Sequence, residues 1–201
     1  MPNKGELFKP TVEILGSCGI NVREGRSLTQ ESGGIKIFLM NVLDIPMVVD
    51  KKFVDFGITG EDCLFEYLVS IGSDGERLSS SRLGFGACDL VVAASNSDKP
   101  VVFDSGFLVG LITRANPLRV ATKYVNMAKF FLKRNLRPND GFVSNFEITK
   151  LNGSVESSIG LGIADAIIDI VSTGTTLRAN GLFEVRTVLE SEAVLIQKRG
   201  E

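Results

Sequence analysis

The stretch from Ala164 to Leu177 constrains the fold of this chain more than any other. It reads Asp165-Ala166-Ile167-Ile168-Asp169-Ile170-Val171, an apolar run with two carboxylates, followed by Ser172-Thr173-Gly174-Thr175-Thr176-Leu177. A run of β-branched residues of this length makes a buried strand, and a hydroxyl-rich turn around one glycine makes a sharp entry into a helix. Strand, glycine turn and helix in succession form the junction of an α/β protein. Backbone N–H groups at a helix start are unpaired and carry the positive end of the dipole, so such a turn cradles anionic oxygens. Ser172, Thr173, Thr175 and Thr176 add hydroxyl donors, and Gly174 lets the backbone approach closely. The plain alternative is a turn that only caps a helix, and the motif alone leaves both readings open.

The carboxylates narrow the ligand. Asp165, Ile167 and Asp169 share one face of the strand, which puts Asp169 at its C-terminal end, just before the turn. A carboxylate repels a bare phosphate, so the pattern asks for a ligand that also carries hydroxyls, or for a bound magnesium ion. A phosphorylated sugar fits.

Composition excludes other chemistries. The 201 residues contain no histidine, which removes Ser-His, Cys-His and His-metal constellations together. Cys18, Cys63 and Cys88 are odd in number and far apart, as expected of reduced thiols rather than a disulfide frame. A net charge of -2 with no basic run argues against nucleic acid. No apolar run reaches the ~18 residues of a membrane span, and Met1-Pro2-Asn3-Lys4-Gly5 lacks a signal pattern, so a cytoplasmic protein is expected.

Read in order, the chain alternates strands and helices. A helix is expected over Glu6–Cys18 with Pro10 in its first turn, then a loop over Arg23–Gly34 and a strand over Ile35–Met40. Asp44 reads as an N-cap with Pro46 in the first turn. Phe53–Ile58 reads as a strand running through Thr59-Gly60-Glu61-Asp62 into a helix over Cys63–Val69, where Asp62 is either a capping residue or part of a ligand site. Gly72–Arg82 reads as a polar surface connection, and Leu83–Ala94 as one long strand able to cross between two sheets. Phe103–Ile112 reads as loop and partial helix. Strands are expected over Leu118–Tyr124 and Phe142–Leu151, flanking a helix over Val125–Leu136 with Met127, Phe130 and Phe131 inward. Gly153–Ser158 reads as a helix entry and Leu177–Asn180 as a short helix. Strands over Phe183–Leu189 and Ala193–Gln197 close the chain.

Six stretches carry a resemblance when taken in order: Asp55–Asp62, Gly84–Cys88, Val120–Tyr124, Gly153–Glu156, Gly160–Asp165 and Asp169–Leu182. Together they resemble the short form of the ATP phosphoribosyltransferase family, the first enzyme of histidine biosynthesis. The resemblance implies an α/β fold of two lobes around a cleft, similar to type II periplasmic binding proteins. Lobe I is expected over residues 1–86 and 187–201, and lobe II over 87–186. It also implies displacement at the anomeric carbon of phosphoribosyl pyrophosphate by N1 of ATP, releasing pyrophosphate with Mg2+ present. On that likeness Asp169, Ser172, Thr173, Gly174, Thr175 and Thr176 bind phosphoribosyl pyrophosphate, and Lys4, Thr59, Gly60 and Asp62 bind ATP. Asp169 and Glu156 are expected to stabilise the oxocarbenium-like charge that develops on the ribose; the metal ligands are left open.

The last strand lies close to Glu201, and a regulatory domain like that of the long form is not expected. The expected partner is therefore a separate regulatory subunit similar to histidyl-tRNA synthetase, with a homodimer of this chain inside a hetero-oligomer, and no nucleic acid or membrane. The chain departs from the family pattern where basic residues are usual: Glu6, Met40-Asn41 and Asp89. Loss of the basic groups weakens contacts to anionic groups, and the carboxylates of Glu6 and Asp89 repel them. The alternatives are a catalytically weakened paralogue and a non-catalytic ligand-binding module of the same fold.

Overall fold

The computed structural model describes residues 1–23, 25, 27–73, 75–95, 117–135 and 146–199. The chain divides into two compact units, Met1–Ala87 with Ser191–Glu201, and Cys88–Glu190.

In the first unit, α1 (Phe8–Ser17) carries Pro10 in its first turn. The strands β1 (Thr29–Ser32) and β2 (Ile35–Phe38) pair antiparallel across Gly33-Gly34, whose φ angles are 59° and 78°. A two-residue loop with both φ positive has the twist that matches a hairpin. This corrects the loop expected over Arg23–Gly34; the polar composition of β1 concealed a strand that the Gly-Gly pair announces. Met1–Asn3 run alongside the same region, with an N–H of Asn3 on the Met40 carbonyl at 3.0 Å and a parallel bridge between Pro2 and Met40.

Helix α2 (Ile45–Asp50) follows Asp44 with Pro46 in its first turn, but the Asp44 side chain makes no cap. Instead Asn41 Oδ1 accepts from the Leu43 N–H at 3.0 Å, so the turn before the helix is closed by the asparagine. The strand β3 (Phe56–Gly60) leads directly into α3 (Glu61–Ser70). A Cβ on Gly57 would lie 2.5 Å from Ile45 Cγ2 and 2.8 Å from Val49 Cγ2, so only glycine lets β3 lie this close to α2. The sheet runs β3-β10-β4, with β10 (Ala193–Lys198) antiparallel to both neighbours and β4 (Leu78–Arg82) on the edge. Gly72–Arg82 is thus not wholly a surface connection. Its serines are tolerated because an edge strand buries one side only, and Leu78 alone reaches the core with Val194 and Ile196.

At the end of α2 the buried Asp50 carboxylate accepts from Tyr67 Oη at 2.7 Å, Arg77 Nε at 3.1 Å and the Lys198 ammonium. Burial pushes that carboxyl up, but the hydrogen bonds from Lys198, Tyr67 and Arg77 outweigh it and hold it down at about 2. Burial and the bond to Asp50 push Tyr67 up to about 12.

The second unit holds a five-stranded sheet in the order β7-β6-β8-β5-β9. These are β5 (Cys88–Ser95), β6 (Leu118–Thr122), β7 (Phe146–Lys150), β8 (Ala166–Val171) and β9 (Leu182–Ser191). β6 runs parallel to β7 and β8, while β5 runs antiparallel to β8. The strand expected from Leu83 starts only at Cys88, because Gly84 and Gly86 turn the chain at φ 74° and 70°. Helix α4 (Val125–Asn135) buries Met127, Ala128, Phe131 and Leu132. Phe130, expected inward, is 42% exposed and lies under the Arg134 guanidinium, 4.2 Å from its ring. The inward set is two pairs spaced by four, and Phe130 falls about 100° away from Phe131 on a 3.6-residue helix. Among the described residues the remaining helices are α5 (Ser157–Gly160) and α6 (Thr175–Ala179). Residues 103–112 and 142–145, read above as loop and strand, lie outside the described residues. Among the described residues no helix is long and apolar enough to cross a membrane.

Candidate active site

The site of the second unit is built on one apolar cluster. Ala121, Ile167, Val155 and Leu177 pack together, so β6, β8, the turn before α5 and the start of α6 share a single anchor. Leu177 is buried while Ser172, Thr173, Thr175 and Thr176 around it are exposed. The leucine pins the turn and its hydroxyls face outward. Gly174 sits in the left-handed region at φ 68°, and the Arg178 guanidinium covers it, donating to the Thr173 carbonyl at 2.8 Å. The Thr173 and Thr175 hydroxyls lie 3.0 Å apart, so they converge on one small volume. Helix α6 is five residues long, which makes its dipole a minor contributor; the hydroxyls and turn N–H groups are the principal donors.

The two carboxylates of the strand have separate roles. Asp165 accepts from Arg119 at Nε (3.0 Å), Nη2 (2.6 Å) and the backbone N–H (3.0 Å), and returns its own N–H to the Arg119 carbonyl at 2.8 Å. Hydrogen bonding from Arg119 holds the Asp165 carboxyl below its usual range. This acid locks β6 to β8. Asp169 lies at the far end of β8, in register with Val91, and faces Lys123, whose Nζ is 3.9 Å from Oδ1. Glu156 stands at the N-cap of α5, half-buried, after Ser154 at φ 51° turns the chain so that Val155 enters the core. No hydrogen bond among the described residues joins Glu156 to Asp169; the shared cluster brings their elements together.

The expected ATP residues lie in the first unit. Lys4 is exposed, next to Gly5 at φ 84°. Thr59 is wholly buried and its hydroxyl donates to the Val42 carbonyl at 2.8 Å. Asp62 is buried too. Its Oδ1 accepts from Ser191 Oγ at 2.9 Å, its N–H donates to the same oxygen at 3.0 Å, and Oδ2 accepts from the Cys63 thiol at 3.3 Å. The N-cap of α3 is Gly60, so Asp62 is not the cap; it ties the helix start to the end of β9. A Cβ on Gly60 would fall 2.1 Å from Asp62 Oδ1, so the glycine is required by the carboxylate folded over it.

Two residues beside the turn were given no site role from sequence, although Lys123 was expected at the junction after its strand. Lys123 directly follows β6 and Asp169 lies two residues before the end of β8, and a lysine directly after a strand was the available signal. Arg178 had none, since a basic residue in a last helical turn reads as a solvated one. Among the described residues no group of three His, Cys, Asp or Glu side chains is placed to hold a metal ion.

Fold and site together describe a two-unit α/β protein of the periplasmic-binding-protein type with an exposed, hydroxyl-rich turn after β8. The fold is similar to the GluR0 ligand-binding core complex with L-glutamate (TM-score 0.54, 10% identity, covering 98% of this chain and 77% of that one). It is more similar to the ATP phosphoribosyl transferase (HisG:HisZ) complex from Thermotoga maritima, with a TM-score of 0.75 at 22% identity over 98% of this chain and 85% of that one. The family model described as HisG, ATP phosphoribosyltransferase, matches residues 42–201. The chain is 36% identical to the ATP phosphoribosyltransferase of Aquifex aeolicus, over 98% of this chain and 82% of that protein. It is also 36% identical to that of Sulfurisphaera tokodaii, over 99% of this chain. The chain belongs to the ATP phosphoribosyltransferase family. It spans 64% of the length of the Sulfurisphaera tokodaii protein and 62% of the relative from Gemmatimonas aurantiaca.

Proposed function

We propose that this protein transfers the phosphoribosyl group of phosphoribosyl pyrophosphate to N1 of ATP and releases pyrophosphate, the first step of histidine biosynthesis. The observation that carries this reading is the Ser172–Thr176 turn with Asp169 at its lip, in a chain of this family. Ser172, Thr173, Thr175 and Thr176 and the N–H groups around Gly174 hold the 5-phosphate, and Asp169 accepts from the ribose hydroxyls. As the bond to pyrophosphate lengthens, positive charge grows on the ribose ring, and the Asp169 and Glu156 carboxylates stabilise it without moving a proton. Positioning of two large anionic substrates supplies much of the rest. That division of labour suits a chain with no histidine.

On the ATP side, the exposed Lys4 is assigned to an anionic group, and Thr59-Gly60-Glu61-Asp62, where β3 passes into α3, is assigned to the same substrate. Thr59 and Asp62 act there through the turn they brace, since both side chains are engaged within the fold. Magnesium keeps several waters and binds through one or two carboxylates plus substrate phosphates, so a resident cage is not needed and Asp169 is the acid best placed to join it. When bound, the ion offsets the charge of the departing pyrophosphate. We further assign this chain to the cytoplasm and to a homodimer within a hetero-oligomer with a histidyl-tRNA synthetase-like regulatory subunit; the relative from Thermotoga maritima is a HisG:HisZ complex.

Pyrophosphate release measured with ATP, phosphoribosyl pyrophosphate and magnesium, each omitted in turn and with the partner subunit supplied, tests the reading. Release that needs all of them is expected. Absence of turnover with and without the partner, together with failure to rescue a histidine auxotroph, refutes it, and binding without consumption is the mark of a ligand-binding module.

A further inference from the structure

The lysine beside Asp169 is more firmly placed than a surface lysine. Its backbone is fixed from both sides: the Thr122 hydroxyl donates to the Ile168 carbonyl at 2.5 Å and accepts from the Tyr124 N–H at 2.9 Å, and Tyr124 is wholly buried. Thr122 and Ile168 are partners in the parallel β6–β8 ladder, so the next pair in register is Lys123 and Asp169. Paired residues of parallel strands project to the same face, here the face on which Ala121 and Ile167 join the cluster that anchors both turns. The ammonium is held 4.8 Å above the Tyr124 ring and 3.9 Å from Asp169 Oδ1, with the lysine side chain 24% and the aspartate 16% exposed. At that separation the pair attracts through space without a hydrogen bond, and the half-buried setting keeps the attraction stronger than on open surface.

We infer that Lys123 is a positioning residue of the sugar-phosphate site: it holds the Asp169 carboxylate in place and offsets its charge, so that a polyanionic substrate can lie against an acid. The inference rests on the function proposed above. That function requires a carboxylate within reach of the ribose while phosphates flank it on both ends, an arrangement that is self-repelling unless a cation accompanies the acid. Among the described residues Lys123 is a cation that the fold places at that acid, and it is seated on a buried aromatic ring rather than on a mobile stem.

The test is a double-mutant cycle read by calorimetric titration of phosphoribosyl pyrophosphate without ATP, so that nothing turns over. Lys123→Met should weaken binding by about 10-fold, a modest effect for a charge pair at this distance in a partly wet site. Lys123→Arg should stay within about 3-fold of wild type, since the charge is retained on a similar stem. In an Asp169→Asn background the same Lys123→Met change should cost less than about 2-fold, because the charge it offset is gone. Lys129→Met, which removes an exposed lysine from α4, controls for net charge and should leave binding unchanged. Should Lys123→Met unfold, Lys123→Gln takes its place in the cycle. Undiminished loss in the Asp169→Asn background, or no loss in the wild-type background, overturns the inference. A wild-type chain that fails to bind phosphoribosyl pyrophosphate overturns the proposed function instead, so the two failures are distinct.

Discussion

Replacing Asp50 by asparagine removes a charge while keeping the shape and one acceptor oxygen for Tyr67. The carboxylate side chain is 4% exposed and is bonded to Tyr67, Arg77 and Lys198. Its pKa falls from 3.8 to about 2 on folding, which at about 1.4 kcal/mol per unit corresponds to roughly 2.5 kcal/mol at most. Arg77 is 53% exposed, so water screens part of this, and roughly 1–2 kcal/mol is the expected contribution. The folded value lies below the unfolded one. The stabilisation is therefore complete above pH 3.8 and is lost as the pH falls through about 2. Urea unfolding followed by circular dichroism should show Asp50→Asn less stable than wild type by roughly 1–2 kcal/mol at neutral pH. The gap should close between about pH 4 and about pH 2, as wild type loses the charge that the variant never had. A gap of constant size across that range refutes the ionic account and assigns the loss to packing.

Tyr67→Phe adds the opposite sign. The Tyr67 hydroxyl is raised from 10 to about 12, so its contribution is full below pH 10 and fades as the pH rises through about 12; the variant should differ from wild type at neutral pH and converge with it in strong alkali. Thr173→Ile places a bulky apolar group among exposed hydroxyls, and calorimetric titration should show phosphoribosyl pyrophosphate binding weakened at least about 10-fold with the melting temperature nearly unchanged. Leu177→Ala removes the anchor beneath the turn, and chemical denaturation should report a loss of about 2–4 kcal/mol along with weaker binding. Gly60→Ala drives a methyl group into Asp62 Oδ1, and the displaced Asp62–Ser191 contact should lower stability by about 1–3 kcal/mol and raise KM for ATP more than for the sugar phosphate.

The α/β class, the strand that carries Asp169 and the hydroxyl turn after it were legible from sequence because each rests on local rules. Apolar β-branched runs, glycine at a positive φ and small hydroxyl residues at a helix entry act within a few residues of chain. β4 was not legible, since a polar edge strand differs from a loop only by the partner it finds, and β1 had only the Gly33-Gly34 pair to announce it. The same limit applies to the charged residues. Nothing local separates Asp165 from Asp169, yet one is locked to Arg119 and the other faces Lys123. Nothing local shows that Thr59 and Asp62 turn inward, because Val42 and Ser191 lie far off in sequence. The sequence by itself determined most of the local elements, among them the strand of Asp169 and the hydroxyl-rich turn after it. Tertiary structure decided which partner each acid meets, because only the register of β6 against β8 and the return of β10 into the first unit bring those partners within hydrogen-bonding or Coulomb range.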